Sequence, residues 1–212
     1  MKLKFALSLF LTFLLMLSCV KPEVIPAPTP KVTLTSKFSG LINGTETEIN
    51  EGDGGYTCVP TQDKNLVSSP VLSSSIYYSE IKSSSDKPSI RIGLGKIYWD
   101  AASSADPSIK TFNSFFISPS NILPKYKDNC SNGFNVQYTD GNGTIFTSRD
   151  TSSQFQSVKF TNTVQESDPT GDYTKYLCTF NCYVYYLSGP NPSNLLDSIK
   201  IQNAQFKGWF KK

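Results

Sequence analysis

The strongest constraint on the fold is a long run of alternating side chains between Tyr173 and Leu187. Its odd positions include Lys175, Thr179 and Asn181, which suit a solvent-exposed face of a strand. Because successive side chains of a β-strand point to opposite faces, the run predicts one long strand with a buried face. The apolar even positions that would form this face are Tyr176, Cys178, Phe180, Cys182, Val184 and Tyr186.

Shorter alternating runs predict further strands and tight turns. Asn43-Gly44 is a strong hairpin signal. Phe134 to Tyr138 alternates into a turn at residues 140–143 and resumes at Ile145, which predicts a second hairpin. The last strand changes phase between Ile201 and Ala204, so we expect a bulge near residues 202–203.

The composition supports a packed β domain. Hydrophobic residues make up 38% of the chain and charged residues 17%, which argues against disorder. One short helix is expected near residues 107–116, with Asp106 as its N-cap and aromatic residues at helical spacing. The sequence therefore predicts an all-β fold of about eight to ten antiparallel strands with one short helix. We favour a β-sandwich over the alternative, a partly closed β-barrel.

Residues 1–18 have the layout of a signal peptide. Lys2 and Lys4 precede an apolar run of thirteen residues, Phe5 to Leu17. In a helix this run would reach about 20 Å, short of the roughly 30 Å hydrocarbon core of a bilayer. A signal sequence is therefore a better interpretation than a spanning helix.

The end of this run, Leu15-Met16-Leu17-Ser18-Cys19, resembles the lipobox of bacterial lipoproteins. The match departs from the usual pattern at Met16 and Leu17, a looser form that is similar to lipoproteins of the Bacteroidota. The resemblance implies cleavage before Cys19 and attachment of fatty acyl chains such as palmitate to it. Ordinary secretion with an unmodified Cys19 is the alternative, but the nearest small-residue cleavage site, at Ala27, lies between two prolines.

A proline-rich segment follows the cysteine. Residues 19–31 contain four prolines, so we interpret them as a lipidated cysteine and a tether, and residues 32–212 as a single β domain. An extended polyproline conformation would let the tether reach up to about 35 Å. Asn43-Gly44, Phe180-Asn181-Cys182 and the ending from Asn203 to Phe210 resemble a group of Bacteroidota envelope lipoproteins. This resemblance implies a cell-envelope location, with the outer membrane expected.

Four cysteines remain once Cys19 is assigned to lipid, and in an exported protein disulfides are expected. Cys178 and Cys182 would lie about 13 Å apart in one strand, and bridged Cα atoms lie within about 7 Å. We therefore predict two bridges, one from each of these residues, to Cys58 and Cys130 in either pairing. Buried free thiols and a four-thiolate metal site are the alternatives.

The sequence carries no catalytic or cofactor-binding signature. It has no histidine, which removes Ser-His-Asp and Cys-His catalysis. The net charge falls from +3 to +1 once Lys2 and Lys4 leave with the leader, so nucleic acid is not an expected partner. Asp140-Gly141-Asn142-Gly143 begins like a calcium loop, but Thr151 stands where its glutamate would be. We predict no enzyme, no metal and no cofactor.

Aromatic residues provide the remaining functional hypothesis. Tyr183, Tyr185 and Trp209 are candidates for an exposed ligand-binding surface, with core or cross-strand packing as the alternative. We expect a membrane-anchored binding or structural module for a glycan or a protein. Alternatives are a hydrolase using carboxylates and a barrel that carries an apolar ligand. Candidate carboxylates are Glu46, Glu48, Glu51, Asp53 and Glu80.

Overall fold

A computed structural model describes residues 31–85, 87–126, 131–151, 153–187 and 195–212. These residues form one compact unit that begins at Lys31. The predicted leader, most of the tether, Cys19 and Cys130 lie outside the described residues. Within the described part of the chain, no helix is long and apolar enough to span a membrane.

Ten antiparallel strands account for most of the described chain, which confirms the predicted all-β class and strand number. They are β1 (Lys37–Ile42), β2 (Thr45–Asn50), β3 (Tyr56–Asn65), β4 (Ser73–Ser83), β5 (Ser89–Trp99), β6 (Gly133–Thr139), β7 (Ile145–Ser148), β8 (Ser157–Asp168), β9 (Gly171–Leu187) and β10 (Leu195–Lys211). Two short helices, α1 (Ile109–Ile117) and α2 (Pro119–Ile122), separate β5 from β6. A 3-10 turn, Asp53–Gly55, leads into β3.

All ten strands belong to one sheet with the order β2-β1-β10-β9-β7-β6-β5-β4-β3, and β8 pairs with β9. The sheet curls until β10 comes against β4, where the backbone N–H of Trp209 donates to Ser79 Oγ at 3.3 Å. Gly208 permits this approach, because a Cβ there would lie 2.8 Å from Ser79 Oγ. The result is a curled, partly closed barrel whose two packed layers are parts of the same sheet.

Aromatic side chains fill the space inside the curled sheet. Phe134 contacts Phe160 and Phe180 with ring centroids 5.8 and 5.7 Å apart. Tyr176 stacks on Phe210 at 4.5 Å. The inward faces of β6, β8, β9 and β10 supply these side chains, as alternation in each strand requires. This packed interior does not favour the hypothesis of a barrel that carries an apolar ligand.

Helix α1 covers one end of the interior. Phe112 and Phe116 are buried on its inner side, and Phe116 stacks on Phe210 with centroids 4.8 Å apart. The helix was expected near residues 107–116, and it begins slightly later. Ser108 is its N-cap, because the Ser108 hydroxyl accepts from the Thr111 N–H at 3.1 Å. Asp106, the predicted cap, instead forms an ion pair with Lys64.

The predicted turns and the predicted bulge are confirmed. Asn43 and Gly44 have φ values of 49° and 82° and join β1 to β2, as a tight hairpin turn requires. The β6–β7 hairpin is present as well. The pairing of β10 with β9 shifts register between Ile201 and Ala204, and Asn203 has a φ of 50°. Both Ile201 and Ala204 consequently point inward and are buried.

Candidate functional site

Three aromatic rings form a platform on the outer face of β9. Tyr183 and Tyr185 are consecutive outward residues of this strand, and their ring centroids lie 6.4 Å apart. Phe155, from the loop between β7 and β8, packs on Tyr183 at 5.0 Å. All three side chains are partly exposed. We call Phe155, Tyr183 and Tyr185 the aromatic platform.

The loop that supplies Phe155 is held by its own hydrogen bonds. Gln156 Nε2 donates to the carbonyl oxygen of Arg149 at 2.6 Å, and Gln156 Oε1 accepts from the Thr151 N–H at 3.2 Å. Lys200 Nζ lies 4.7 Å from the Phe155 ring centroid, a cation–π contact. Because Lys200 pairs with Tyr183 across the strands, a positive charge borders the platform.

The Tyr185 hydroxyl is neutral at physiological pH. Burial raises its pKa, the neighbouring Tyr183 raises it further, and a hydrogen bond with Thr151 and the charge of Arg149 partly offset these effects. A neutral phenol can both donate and accept a hydrogen bond. The platform therefore combines apolar ring faces with a polar edge.

A polar groove continues from the platform along the same face. Asn181 is the next outward residue of β9 before Tyr183, so the two side chains begin about 7 Å apart. The groove has a volume of about 310 Å³. Its outward polar side chains are Ser157, Lys159, Thr179, Asn181, Asn203 and Gln205. We call this set the amide groove.

Asn181 organises the amide groove through its side-chain amide. Its Oδ1 accepts from the Asn203 N–H at 2.7 Å, and its Nδ2 donates to Ser157 Oγ at 3.0 Å. The β-bulge therefore presents the Asn203 side chain at the surface. Thr179, Asn203 and Gln205 are exposed, and their side chains have no hydrogen-bond partner within the described residues.

A second, wider hollow adjoins the groove at Asn203. It has a volume of about 620 Å³ and lies over β1 and β2, where Glu46 and Glu48 line it. Gly40 lines the hollow. A Cβ atom on this residue would lie only 3.0 Å from the Ala204 Cα atom, so a larger residue would not fit there without a shift. Platform, groove and hollow thus form a continuous outer surface from β9 to β2.

Trp209 lies apart from the other two predicted aromatic residues. It is 7% exposed and packs edge-on against Tyr173 at 5.6 Å. Its partner on β9 is Lys175, eight residues from Tyr183, which corresponds to roughly 26 Å along the strand. The three side chains share the outer face but do not form one site, because distance along a long strand separates them.

Another cleft of about 300 Å³ lies on the outer face of β3 to β6. Tyr78 lines it, but the Arg91 guanidinium carbon lies 3.7 Å from the centre of that ring. Asp63 and Lys96 also line the cleft. Because Arg91 covers one face of Tyr78, this cleft offers less free aromatic surface than the platform.

The described cysteines are free thiols, in contrast to the predicted pair of disulfides. Cys178 and Cys182 point into the packed interior and are fully buried. Cys58 lies on β3, and its Sγ contacts Ser79 Oγ at 3.5 Å instead of the sulfur of another cysteine. The fourth predicted member, Cys130, lies outside the described residues.

Apart from one pair in the hollow, the candidate carboxylates are dispersed over the described surface. Glu46 and Glu48 share the hollow, and Glu48 forms an ion pair with Lys37. Glu80 pairs with Lys82 at 3.6 Å, and Glu51 Oε1 accepts from the Cys58 N–H at 3.4 Å. In the described ranges, no group of three or more acidic or cysteine side chains could hold a metal ion.

Sequence reasoning identified two platform residues and missed the remainder of the surface. The alternation of side chains in β9 predicted that Tyr183 and Tyr185 point outward. Phe155 was missed because it lies in a loop, where no periodicity shows which way a side chain points. Asn203 was recognised only as the site of a bulge, although Asn is one of the few residues that tolerate the positive φ of 50° found there.

Comparisons with models of protein families, with curated proteins and with solved structures found no match to this chain.

Proposed function

We propose that the protein is a lipid-anchored binding module of the bacterial cell envelope and that it captures a glycan on the outer face of β9 and β10. Acyl chains on Cys19 would hold it at a membrane, with the outer membrane expected. The observation that supports glycan capture is the adjacency of the aromatic platform to the amide groove. A protein ligand is the alternative occupant of the same surface.

Sugars suit such a surface because they have two kinds of face. The C–H face of a pyranose ring can pack on an aromatic ring, as Tyr183 and Tyr185 would allow. The hydroxyl groups need donors and acceptors close by, which Thr179, Asn203 and Gln205 would supply. The volume of the groove, about 310 Å³, is within the usual range for ligand sites.

The test is a binding measurement on residues 31–212, the compact unit that contains all described strands. A panel of envelope and dietary polysaccharides would be screened, and the hits would be titrated by calorimetry. Tyr183→Ala should weaken binding about tenfold, because it removes one stacking surface. Gln205→Ala should weaken it by a smaller factor through loss of one exposed amide.

Tyr98→Ala is the matched control, because Tyr98 is 42% exposed and lies outside this surface. It should bind as the unchanged protein does. Equal affinities for Tyr183→Ala and Tyr98→Ala would contradict the assignment of the site. A screen in which proteins but no polysaccharides bind would favour the alternative occupant.

A carboxylate-dependent envelope hydrolase is the second candidate, and the hollow beside the groove supports it. Glu46 and Glu48 alternate on one face of β2, so their side chains begin about 7 Å apart, a spacing compatible with a pair of glycosidase carboxylates. Release of reducing ends from a bound polysaccharide, abolished by Glu46→Gln, would favour this function. Binding of a polysaccharide without release of reducing ends would contradict the hydrolase function.

A further inference from the structure

The turn between β3 and β4 exposes three large aliphatic side chains. Leu66, Val71 and Leu72 are 53%, 62% and 52% exposed. Turns of this kind are usually polar, and several adjacent exposed aliphatic residues mark an interaction surface. The turn has a defined conformation, since the Val67 N–H donates to Ser73 Oγ at 2.9 Å.

More exposed aliphatic side chains lie at the same end of the sheet. The turn is joined to the segment before α1 by the Lys64–Asp106 ion pair, and Ser73 pairs with Trp99 at the end of β5. The aliphatic residues on and after α1 that are exposed are Ile109, Ile117 and Leu123. We call Leu66, Val71, Leu72, Ile109, Ile117 and Leu123 the apolar tip.

The described chain also begins at this end. The Val32 N–H donates to Asp168 Oδ2 at 2.8 Å, and Asp168 lies at the turn between β8 and β9. Helix α1 links this turn to the tip, because Gln165 of β8 donates to the Asn113 carbonyl oxygen at 2.6 Å. Phe116 of the same helix contacts both Tyr77 of β4 and Phe210 near the end of β10.

We propose that the apolar tip docks on the surface of the lipid bilayer to which the chain is tethered. This inference rests on the proposed anchor at Cys19. The tether of about twelve residues sets a maximum reach of about 35 Å and allows any shorter distance. It therefore keeps the tip at a high local concentration beside the bilayer.

A bilayer fits the tip better than a polar partner surface does. Aliphatic side chains on a turn and a helix can enter the boundary between headgroups and acyl chains, which extends about 5–10 Å. The Lys64 and Asp106 charges beside the turn neutralise each other. At the opposite end of the sheet, the turn at residues 140–143 is polar, and Ile145 is the exposed aliphatic residue next to it.

The first experiment measures insertion with the full acylated chain in phosphatidylcholine vesicles. A tryptophan is introduced by Val71→Trp at the tip and by Ile145→Trp at the other end, as the control. Lipids brominated near the headgroup should quench the added fluorescence of the first variant and leave that of the second unchanged. Equal quenching in both variants would overturn the proposal while leaving the anchor intact.

The second experiment separates the tip from the anchor by using the mature chain, residues 19–212, with Cys19→Ser. Its residual binding to the same vesicles should fall about tenfold or more when Leu66, Val71 and Leu72 are all changed to Ser. Ile145→Ser should have no effect. Unchanged binding in the triple variant, or a dimer in solution that the triple change dissociates, would overturn the proposal. If Cys19→Ser binds membranes as tightly as the acylated chain does, the anchor proposal fails instead.

Discussion

The hydroxyl group of Tyr126 connects two strands from a buried position. Tyr126 is 6% exposed, and its hydroxyl is 3.1 Å from the Asn181 carbonyl oxygen and 3.2 Å from that of Ser157. Burial raises the pKa of this hydroxyl far above the ordinary value, so it stays protonated and can donate. Asn181 and Ser157 also belong to the amide groove, so the interior supports the groove from below.

Removing this hydroxyl should destabilise the protein. Tyr126→Phe is expected to lower the free energy of unfolding by about 1–2 kcal/mol, because two part-buried carbonyl oxygens lose the donor that they share. Urea denaturation would measure the change. Tyr98→Phe, at an exposed tyrosine, should change stability little. Equal effects of the two substitutions would show that the Tyr126 hydroxyl does not hold the strands.

The thiols of Cys178 and Cys182 should be unreactive in the folded protein. Burial raises the pKa of both, which suppresses the reactive thiolate, and the packed interior excludes reagents. A thiol-reactive chromophore should therefore detect both of them only after unfolding, without added reductant. If both appear only once a reductant is present, the disulfides predicted from the sequence exist in the mature protein. Half-buried Cys58 should react at an intermediate rate.

At the scale of the element, helix α1 is held by its inward aromatic residues. Phe116 is 4% exposed and contacts Phe210, Phe112 and Tyr77. Phe116→Ala should lower the free energy of unfolding by about 3–5 kcal/mol, because it leaves a cavity at the end of the interior. The next residue provides the control, since Ile117 is 56% exposed and Ile117→Ala should cost little. Thermal and urea denaturation would both show the difference.

Elements with local signals were predictable from the sequence. The alternation of β9 and the turn at Asn43-Gly44 depend on neighbouring residues alone, and both are confirmed. Strand β8 was not recognised, because polar residues occupy both of its faces between Thr161 and Asp168. The N-cap of α1 is Ser108 and not the predicted Asp106, because Asp106 forms an ion pair with Lys64, which is distant in sequence.

The closure of the sheet could not be predicted, because it depends on contacts between distant parts of the chain. Ser75 and Ser79 face inward on β4 and are almost fully buried, where a composition rule would place serine at the surface. Ser79 is buried because it accepts the N–H of Trp209, 130 residues away in sequence. For the candidate site, the same limit applied to Phe155, whose position depends on how its loop folds over β9.

At the scale of the whole molecule, the anchor is the most direct prediction to test. Cys19→Ser should prevent acylation and move the protein from the membrane fraction to the soluble fraction of a bacterial lysate. Mass spectrometry of the unchanged protein should find acyl chains on an N-terminal Cys19. Changing Cys58 to Ser is the control, since a half-buried thiol on β3 is no acylation site. Membrane fractionation that survives Cys19→Ser would contradict the anchor.

The aromatic platform and the start of the described chain lie at opposite ends of β9. Val32 is bonded at the turn that precedes Gly171, and Tyr183 lies twelve residues further along β9. At about 3.3 Å per residue, roughly 40 Å of strand separates them. A module oriented in this way would present the aromatic platform away from the membrane while the apolar tip faces it.

The long pairing of β9 with β10 has a mechanical consequence for this arrangement. A ligand pulling on the platform would load β9 along its axis, if the proposed tether holds the domain through its first described residues near Val32. The hydrogen bonds between the two strands are perpendicular to that axis and extend from Tyr173 to Leu187. Such a force would shear the whole ladder at once instead of opening it one bond at a time, so this pairing would resist tension between the proposed anchor and a ligand on the platform.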